Sequence, residues 1–276
     1  MPAFLCVTCG TQFPESAAPP AHCPICEDER QFVGYGGQQW TTLDELRHGH
    51  RNEIVAQETG LTSIETTPAF AVGERAFLLE AAGGNILWDC ISLIDGPTLA
   101  WIQQRGGLAA IAISHPHYYT TMVEWSHAFG GAPIYLHADD RQWVMRADSS
   151  IQFWQGERLA PVEGVTLVRG GGHFPGGAML HWPAGAGGRG ALLSGDIIQV
   201  VPDRRFVSFM YSYVNYVPLP ANCVRRVAQA VAPLAFDRIY GAFAHRTVAQ
   251  DAKQVIARSV ERYCNAIDYN TDPEVS

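Results

Sequence analysis

Nowhere does the chain run to the roughly 18 consecutive apolar residues that a membrane-spanning helix needs. No basic cluster followed by an apolar core opens it, so no secretory signal is expected. Basic residues are scarce. With 19 Lys and Arg against 27 Asp and Glu, the formal charge is −8, which argues against the cationic face of a general nucleic-acid binder. Charged residues of both signs reach only 17%, against 47% hydrophobic, too apolar a mixture for a disordered chain. A cytoplasmic globular protein is expected, with neither membrane nor nucleic acid as partner. Its 276 residues suffice for one large domain plus a small one.

Seven cysteines are present. An odd count without a secretion signal speaks against a disulfide framework. Cys90, Cys223 and Cys264 are scattered and read as small buried hydrophobes. The other four form two C-x-x-C pairs, Cys6 with Cys9 and Cys23 with Cys26, joined by a Pro- and Ala-rich linker. Each pair can form a knuckle that points two thiolates at one ion, and two knuckles give the tetrahedral sulphur set that suits Zn2+. Gly10 follows the first knuckle, where a tight turn needs positive φ. So short a segment cannot bury a sufficient core alone, so a metal would hold it folded. Residues 1–35 resemble a zinc ribbon with a short gap between knuckles. Rubredoxin-like iron would want a longer gap, and two local disulfides or free thiols are the plain alternative. Four thiolates leave no open coordination position, so the expected role is structural or interactive.

Residues 36–64 read as a polar, helical connector. Thr42 and Glu45 have capping-box spacing, and the helix they open is expected to run to about Glu58, with His48 and His50 solvated on it. From residue 65 to the end the texture is that of a second, larger domain. Strands are expected at 69–72 and 76–81, paired as a hairpin around Gly73 and Glu74, and at 85–90, 108–113, 133–136, 165–169, 178–182, 190–194 and 236–241. Helices are expected at 96–105, 120–129 and 248–263. Hairpins first and βα alternation later suggest two sheets face to face with helices outside. The run Gly185-Ala-Gly-Gly188 reads as a hairpin loop, because no strand-to-helix transition follows it as a phosphate cradle requires.

The chain is organised around the apolar run at 108–113, which ends in Ser114-His115-Pro-His117. A buried strand that delivers two imidazoles to its C-terminal edge is a common way for α/β proteins to place metal ligands. A third imidazole, His173, sits in the turn Gly170-Gly-Gly-His173-Phe-Pro-Gly-Gly177, and Asp196 follows Gly195 at another strand end. With Ile86-Leu-Trp-Asp89, these motifs resemble, in order, those of the metallo-β-lactamase superfamily. The resemblance covers residues from about 67 to 263 and implies a four-layer αβ/βα sandwich of metal-dependent hydrolases. It implies His115, His117 and His173 as ligands of one ion, with Asp196 as a fourth ligand or as the group that orients a hydroxide. Asp89 would orient a ligand. Where the superfamily signature H-x-H-x-D-H has Asp-His for a second metal, this chain has Tyr119 and Thr120. The superfamily's late histidine follows a strand-end glycine; here Ala242 follows Gly241, and His245 comes later as a candidate ligand.

One ion, Zn2+ or Fe2+, is therefore expected at the central site, beside a structural Zn2+ on the cysteines. Neutral imidazoles leave the ion's charge free to acidify a bound water. Tyr118 or Tyr119 would stand in for the missing second metal by donating to a substrate oxygen. Residues 201–220 carry Phe206, Phe209, Tyr211, Tyr213 and Tyr216, which either roof an apolar pocket or pack this connection onto the body. Few cations lie near, so the expected substrate is small and neutral or partly apolar: an ester, thioester, lactone or amide. Two other readings stand beside the hydrolase. Persulfide dioxygenases of this superfamily hold one iron through two His and one Asp, which His115, His173 and Asp196 match. The third is a binding protein whose metal chemistry has decayed.

Overall fold

The computed structural model describes residues 1–268. Two sheets dominate. The first has seven strands, in spatial order Ile151–Trp154, Ile134–His137, Ala110–Ala112, Gly84–Trp88, Arg75–Ala81, Leu61–Thr67 and Arg51–Glu58. The second has six: Arg158–Leu159, Thr166–Arg169, Ala178–Trp182, Ala191–Gly195, Arg238–Gly241 and Thr247–Val248. Strand residues alternate between faces, and the burial follows that alternation. Phe77, Leu79, Ile86 and Trp88 point inward and meet Leu180, Trp182 and Leu193 of the other sheet in one core. Their neighbours Leu78, Leu87 and Ile111 point outward into a second core, closed by Ile102 of the helix Gly96–Gln103 and by Met122 and Trp125 of the helix Met122–Ala128. On the far side, Val168, Leu192 and Ile239 pack against Val224 and Val227 of the helix Ala221–Val231 and Val255 and Ile256 of the helix Ala252–Ile267. Helices outside, sheets inside: the expected four-layer αβ/βα sandwich is present.

At the N-terminus, Ala3–Cys6 and Gln12–Glu15 form a hairpin that carries the first knuckle, and the short helix Pro24–Glu27 carries the second. A third strand, Trp40–Thr41, joins this small sheet from beyond the expected ribbon. Gly10 has φ +75°, as the turn requires, and a Cβ there would lie 2.2 Å from Ser92 Oγ of the large body. The small sheet therefore packs directly on the sandwich.

Three readings of local structure need correction. The capping box at Thr42 and Glu45 is present, but its helix, Leu43–Gly49, stops well short of Glu58. Gly49 and His50 end it, and Arg51–Glu58 pairs antiparallel with Leu61–Thr67 in the large sheet. Tertiary pairing overrode helical propensity in this stretch. Residues 69–72 form no strand, because Arg75–Ala81 already has Leu61–Thr67 and Gly84–Trp88 on its two sides. Finally, sequence reading missed the parallel edge strand Ile151–Trp154 and the helix Ala221–Val231. The run at 185–188 connects two antiparallel strands, as expected of a hairpin, but it does so through a short helical turn, Gly185–Gly188, kinked at the positive-φ residues Ala186 and Gly187.

Candidate metal centre

The strand Ala110–Ala112 is three residues long and buried on both faces. Its continuation places Ser114 and His115, and a 3-10 turn, Pro116–Tyr118, then swings His117 back beside His115. His173 arrives on the glycine loop after Thr166–Arg169. That loop is pinched shut by the N–H groups of Gly170 and Gly171, both donating to Gly177 O, and is tied to the first motif by Ala178 N donating to Ser114 O at 2.8 Å. Imidazole centroids stand 5.1 Å (His115 to His117), 4.9 Å (His115 to His173) and 5.1 Å (His117 to His173) apart. One ring nitrogen from each lies within 4.8 Å of the others, a spacing that can hold one ion.

The surroundings fix the chemistry of these rings. His173 Nδ1 faces Tyr211 O at 2.8 Å and Met210 O at 3.2 Å. A carbonyl only accepts, so Nδ1 carries the proton and Nε2 keeps its lone pair for the site. His115 Nδ1 meets Ser114 Oγ at 2.9 Å, while its buried Nε2 has no hydrogen-bond partner. An orphaned buried nitrogen is costly unless something binds it. His115, His117 and His173 are 1%, 5% and 1% exposed. Burial lowers His115 and His117 well below the ordinary imidazole range and His173 to about 4. All three are neutral donors at neutral pH, so the set fits a borderline ion such as Zn2+ or Fe2+.

The four cysteine sulphurs converge in the same way. Cys6 and Cys26 are 3.5 Å apart, Cys9 and Cys23 3.6 Å, and all four are buried. Four sulphurs this close cannot all ionise without a cation among them. Hydrogen bonding within the set, chiefly from Cys23, pulls the Cys6 thiol down, while the same bonding pushes Cys9 up. The donor set fits one tetrahedral ion.

The remaining candidates fall around this centre rather than into it. Among the described residues, the converging nitrogens come from the three histidines alone, without a carboxylate from Asp196. Asp196 is buried; Gln199 donates to its Oδ1 at 3.2 Å, and burial raises its carboxyl to about 7. His245 stands apart: it is exposed, at φ +61°, in the turn that returns Arg238–Gly241 to Thr247–Val248, and faces a groove with Glu65 and Arg238. Among the described residues it does not join the converging group of nitrogens. Asp89 keeps a positive φ of 61° and accepts from Ser114 N at 2.7 Å, steering the ligand-bearing segment. Tyr118 is fully buried with an unpartnered hydroxyl, its ring edge-on to His115 at 5.1 Å. Tyr119 is buried with Asp140 as its charged neighbour. Of the two readings of the aromatic connection, packing onto the body is the one its contacts support. Phe209 packs in the core, Tyr213 leans on His173 at 5.5 Å and donates to Asp196 O, and Tyr216 is exposed.

Two residues escaped sequence reading. Glu74, expected only in a turn, is buried with one unpartnered oxygen, and burial lifts its carboxyl to about 8. Arg30 lies at the histidine site, 4.0 Å above the Phe174 ring, and donates to His173 O at 3.3 Å. Nothing in the charged run after Cys26 marks it, since the contact spans 143 residues.

Two stacked sheets with outer helices, carrying histidines from strand ends into one cluster, define a metallo-β-lactamase fold. Solved structures agree. The chain is similar to DIM-1 metallo-β-lactamase (TM-score 0.60, 14% identity, 79% of this chain and 98% of that one). It is also similar to FIM-1 from Pseudomonas aeruginosa in its mono-zinc form (TM-score 0.56, 14%, 76% and 95%) and to TTHA1623 in a di-iron-bound form (TM-score 0.51, 20%, 71% and 97%). No model of a known protein family matches the chain. It belongs to the same family as the uncharacterized protein YmaE of Bacillus subtilis (strain 168), with 49% identity over 270 residues, 97% of this chain and 98% of that protein. Among the described residues, no helix is long and apolar enough to cross a membrane.

Proposed function

We propose that the protein is a metal-dependent hydrolase with one active-site ion on His115, His117 and His173, acting on an ester, thioester, lactone or amide of a small substrate. The observation that carries this reading is the convergence of three neutral, buried imidazole nitrogens, with His115 Nε2 left unpartnered. A divalent ion bound there supplies Lewis acidity and an acidified water. The chain's own residues do the rest. Ser114 and the Tyr211 carbonyl hold two rings in the ligating orientation. Asp196, protonated up to about 7, can accept or return a proton near neutral pH. The Tyr118 hydroxyl is a buried donor with nothing yet to donate to, suited to a substrate oxygen. Phe174, Tyr213 and Trp143 offer apolar surface near the rings. Arg30 already has Asp28 as its counter-ion, so a neutral or partly apolar substrate remains the better fit. Structural zinc on the cysteines and a cytoplasmic location complete the proposal.

Metal analysis of purified protein, with hydrolysis of a panel of ester, thioester, lactone and amide substrates, tests it. Two zinc per chain and a hydrolysis lost in His115→Ala are expected. One zinc and one iron would shift the assignment to the oxygenase. That alternative wants a carboxylate beside two histidines, whereas Asp196 lies outside the converging set. One zinc in total, unchanged in His115→Ala, would leave only the binding-protein reading.

A further inference from the structure

Residues 28–31 leave the second cysteine knuckle directly after the helix Pro24–Glu27 and run across the histidine cluster. Arg30 is the centre of this crossing and only 9% exposed. Its Nε and Nη2 donate to the two oxygens of Asp28, at 2.6 and 2.9 Å. Its Nη1 donates to His173 O, and its plane lies over Phe174, with Tyr211 at 5.1 Å and Trp143 at 5.3 Å. Phe174 in turn contacts all three imidazoles, at 5.6, 5.0 and 5.1 Å. The guanidinium therefore presses on the ring that covers the site. The backbone is tied down by side chains of the aromatic connection: Ser212 Oγ donates to Arg30 O, and Asn215 Nδ2 donates to Glu29 O and Gln31 O.

The same small sheet grips the other side of the site. Gln12 N donates to Thr120 O at 3.0 Å, and Gly10 sits against the Thr120 methyl. Thr120 is one of the two positions where the second-metal residues of the superfamily motif are replaced. The cysteine module thus packs on Thr120 on one side, and its strap reaches His173 and Phe174 on the other. Trp143 joins the two, packing on the cysteine cluster and on Phe174.

We propose that residues 28–31 are a strap that closes the histidine site, and that a metal on Cys6, Cys9, Cys23 and Cys26 holds the strap shut. Emptying the cysteine cluster releases the strap and opens the site. The proposal rests on the histidine site being functional, but its test reads access and needs no activity. Full-length protein is dialysed at length against dipicolinate to clear the histidines, with one retained zinc confirming the loaded cysteines. Carbethoxylation by diethyl pyrocarbonate is then followed residue by residue by mass spectrometry. The exposed His22, His48 and His245 serve as references. In the parent chain His115, His117 and His173 react far more slowly than the references. Arg30→Ala, which keeps the cysteines loaded, raises their rates about tenfold or more, the effect of losing a charge-assisted hydrogen bond on a local opening equilibrium. Cys26→Ser, which empties the cluster, raises them at least as much. Parent rates equal to the references would mean that no strap closes the site. Unchanged rates in Arg30→Ala would remove the strap's role, and unchanged rates in Cys26→Ser alone would remove the link to the cysteine metal. A chain that never binds a second metal would defeat the hydrolase proposal while leaving these outcomes readable.

Discussion

Among the described residues, two groups of side chains can hold a metal, and they are assembled at very different cost in chain. The four cysteines span residues 6 to 26 and lie on a two-stranded hairpin and one helical turn. The three histidines span residues 115 to 173 and meet only because two sheets close on each other. Both sets are buried. The surroundings differ: the cysteine cluster packs mainly against Phe13, Ile25, Trp40, Trp143 and Met145, whereas the histidines stand on a core of two layers. A local site with so thin a core needs its ion in order to fold. A site built at the meeting of strand ends is pre-formed, and the ion only fills it.

The sharpest way to break that comparison is to empty each site in turn. Cys26→Ser should lose about one equivalent of metal and melt the small sheet, because structural zinc contributes on the order of 10 kcal/mol to such modules. His115→Ala should also lose about one equivalent, yet leave the circular dichroism of the sandwich intact. Metal analysis and far-ultraviolet spectra of the two variants check this. A His115→Ala chain that unfolds as Cys26→Ser does would mean that the histidine ion is structural too.

A milder step weakens the histidine site without removing a ligand. Ser114→Ala deletes the hydroxyl at His115 Nδ1 and leaves the ring free to turn. Loss of such a supporting bond typically costs about 10–100-fold in metal affinity. Competition with a chromogenic chelator should show one weakened equivalent and one unchanged. Equal retention of both would separate ring orientation from Ser114.

How much of this was legible in the sequence follows from how local each signal is. The cysteine knuckles, the turn at Gly10 and the capping box at Thr42 are contained within a few residues, and each is where spacing placed it. His115, His117 and His173 were legible because strand ends and a glycine turn announce themselves. The helix expected to reach Glu58 failed because sheet pairing with Leu61–Thr67 decides that stretch. Arg30 and Glu74 were invisible for a related reason: the contact of Arg30 with His173 spans 143 residues, the burial of Glu74 comes from the folded body around it, and no periodicity encodes either.

Protons distinguish the two sites as well. With the histidine site cleared and the cysteines loaded, burial keeps His173 at about 4 and His115 and His117 well below their ordinary value. These rings contribute stability that is present above the unfolded value of about 6.5 and is lost as pH falls below it. Glu74 and Asp89, raised by burial to about 8, and Asp196, raised to about 7, act in the opposite sense. They hold protons that the unfolded chain has released, so their contribution is lost as pH rises through 7 to 8. The two slopes oppose each other in mildly acidic solution, and only the carboxyl slope remains above it. The cleared protein should therefore melt a few degrees lower near pH 8.5 than near pH 6.5. A calorimetric trend of the opposite sign would mean that these carboxyls are ionised in the folded state.

The smallest expected effect lies back at the cysteines. Gln38 Nε2 donates to Cys6 Sγ at 3.1 Å and also to Gln39 O, so it offsets part of the negative charge that four thiolates place on one ion. Gln38→Ala removes that donor from a half-exposed position and leaves all four cysteines in the chain. A hydrogen bond to a charged acceptor contributes about 1.5–3 kcal/mol when dry and less here, where water can replace it. The cysteine ion should be released to a chelator a few times faster, with release from the histidines unchanged. If the cysteine ion holds the strap shut, the histidines of Gln38→Ala become accessible only as that ion leaves. Histidine access that precedes metal loss in this variant would uncouple the two sites.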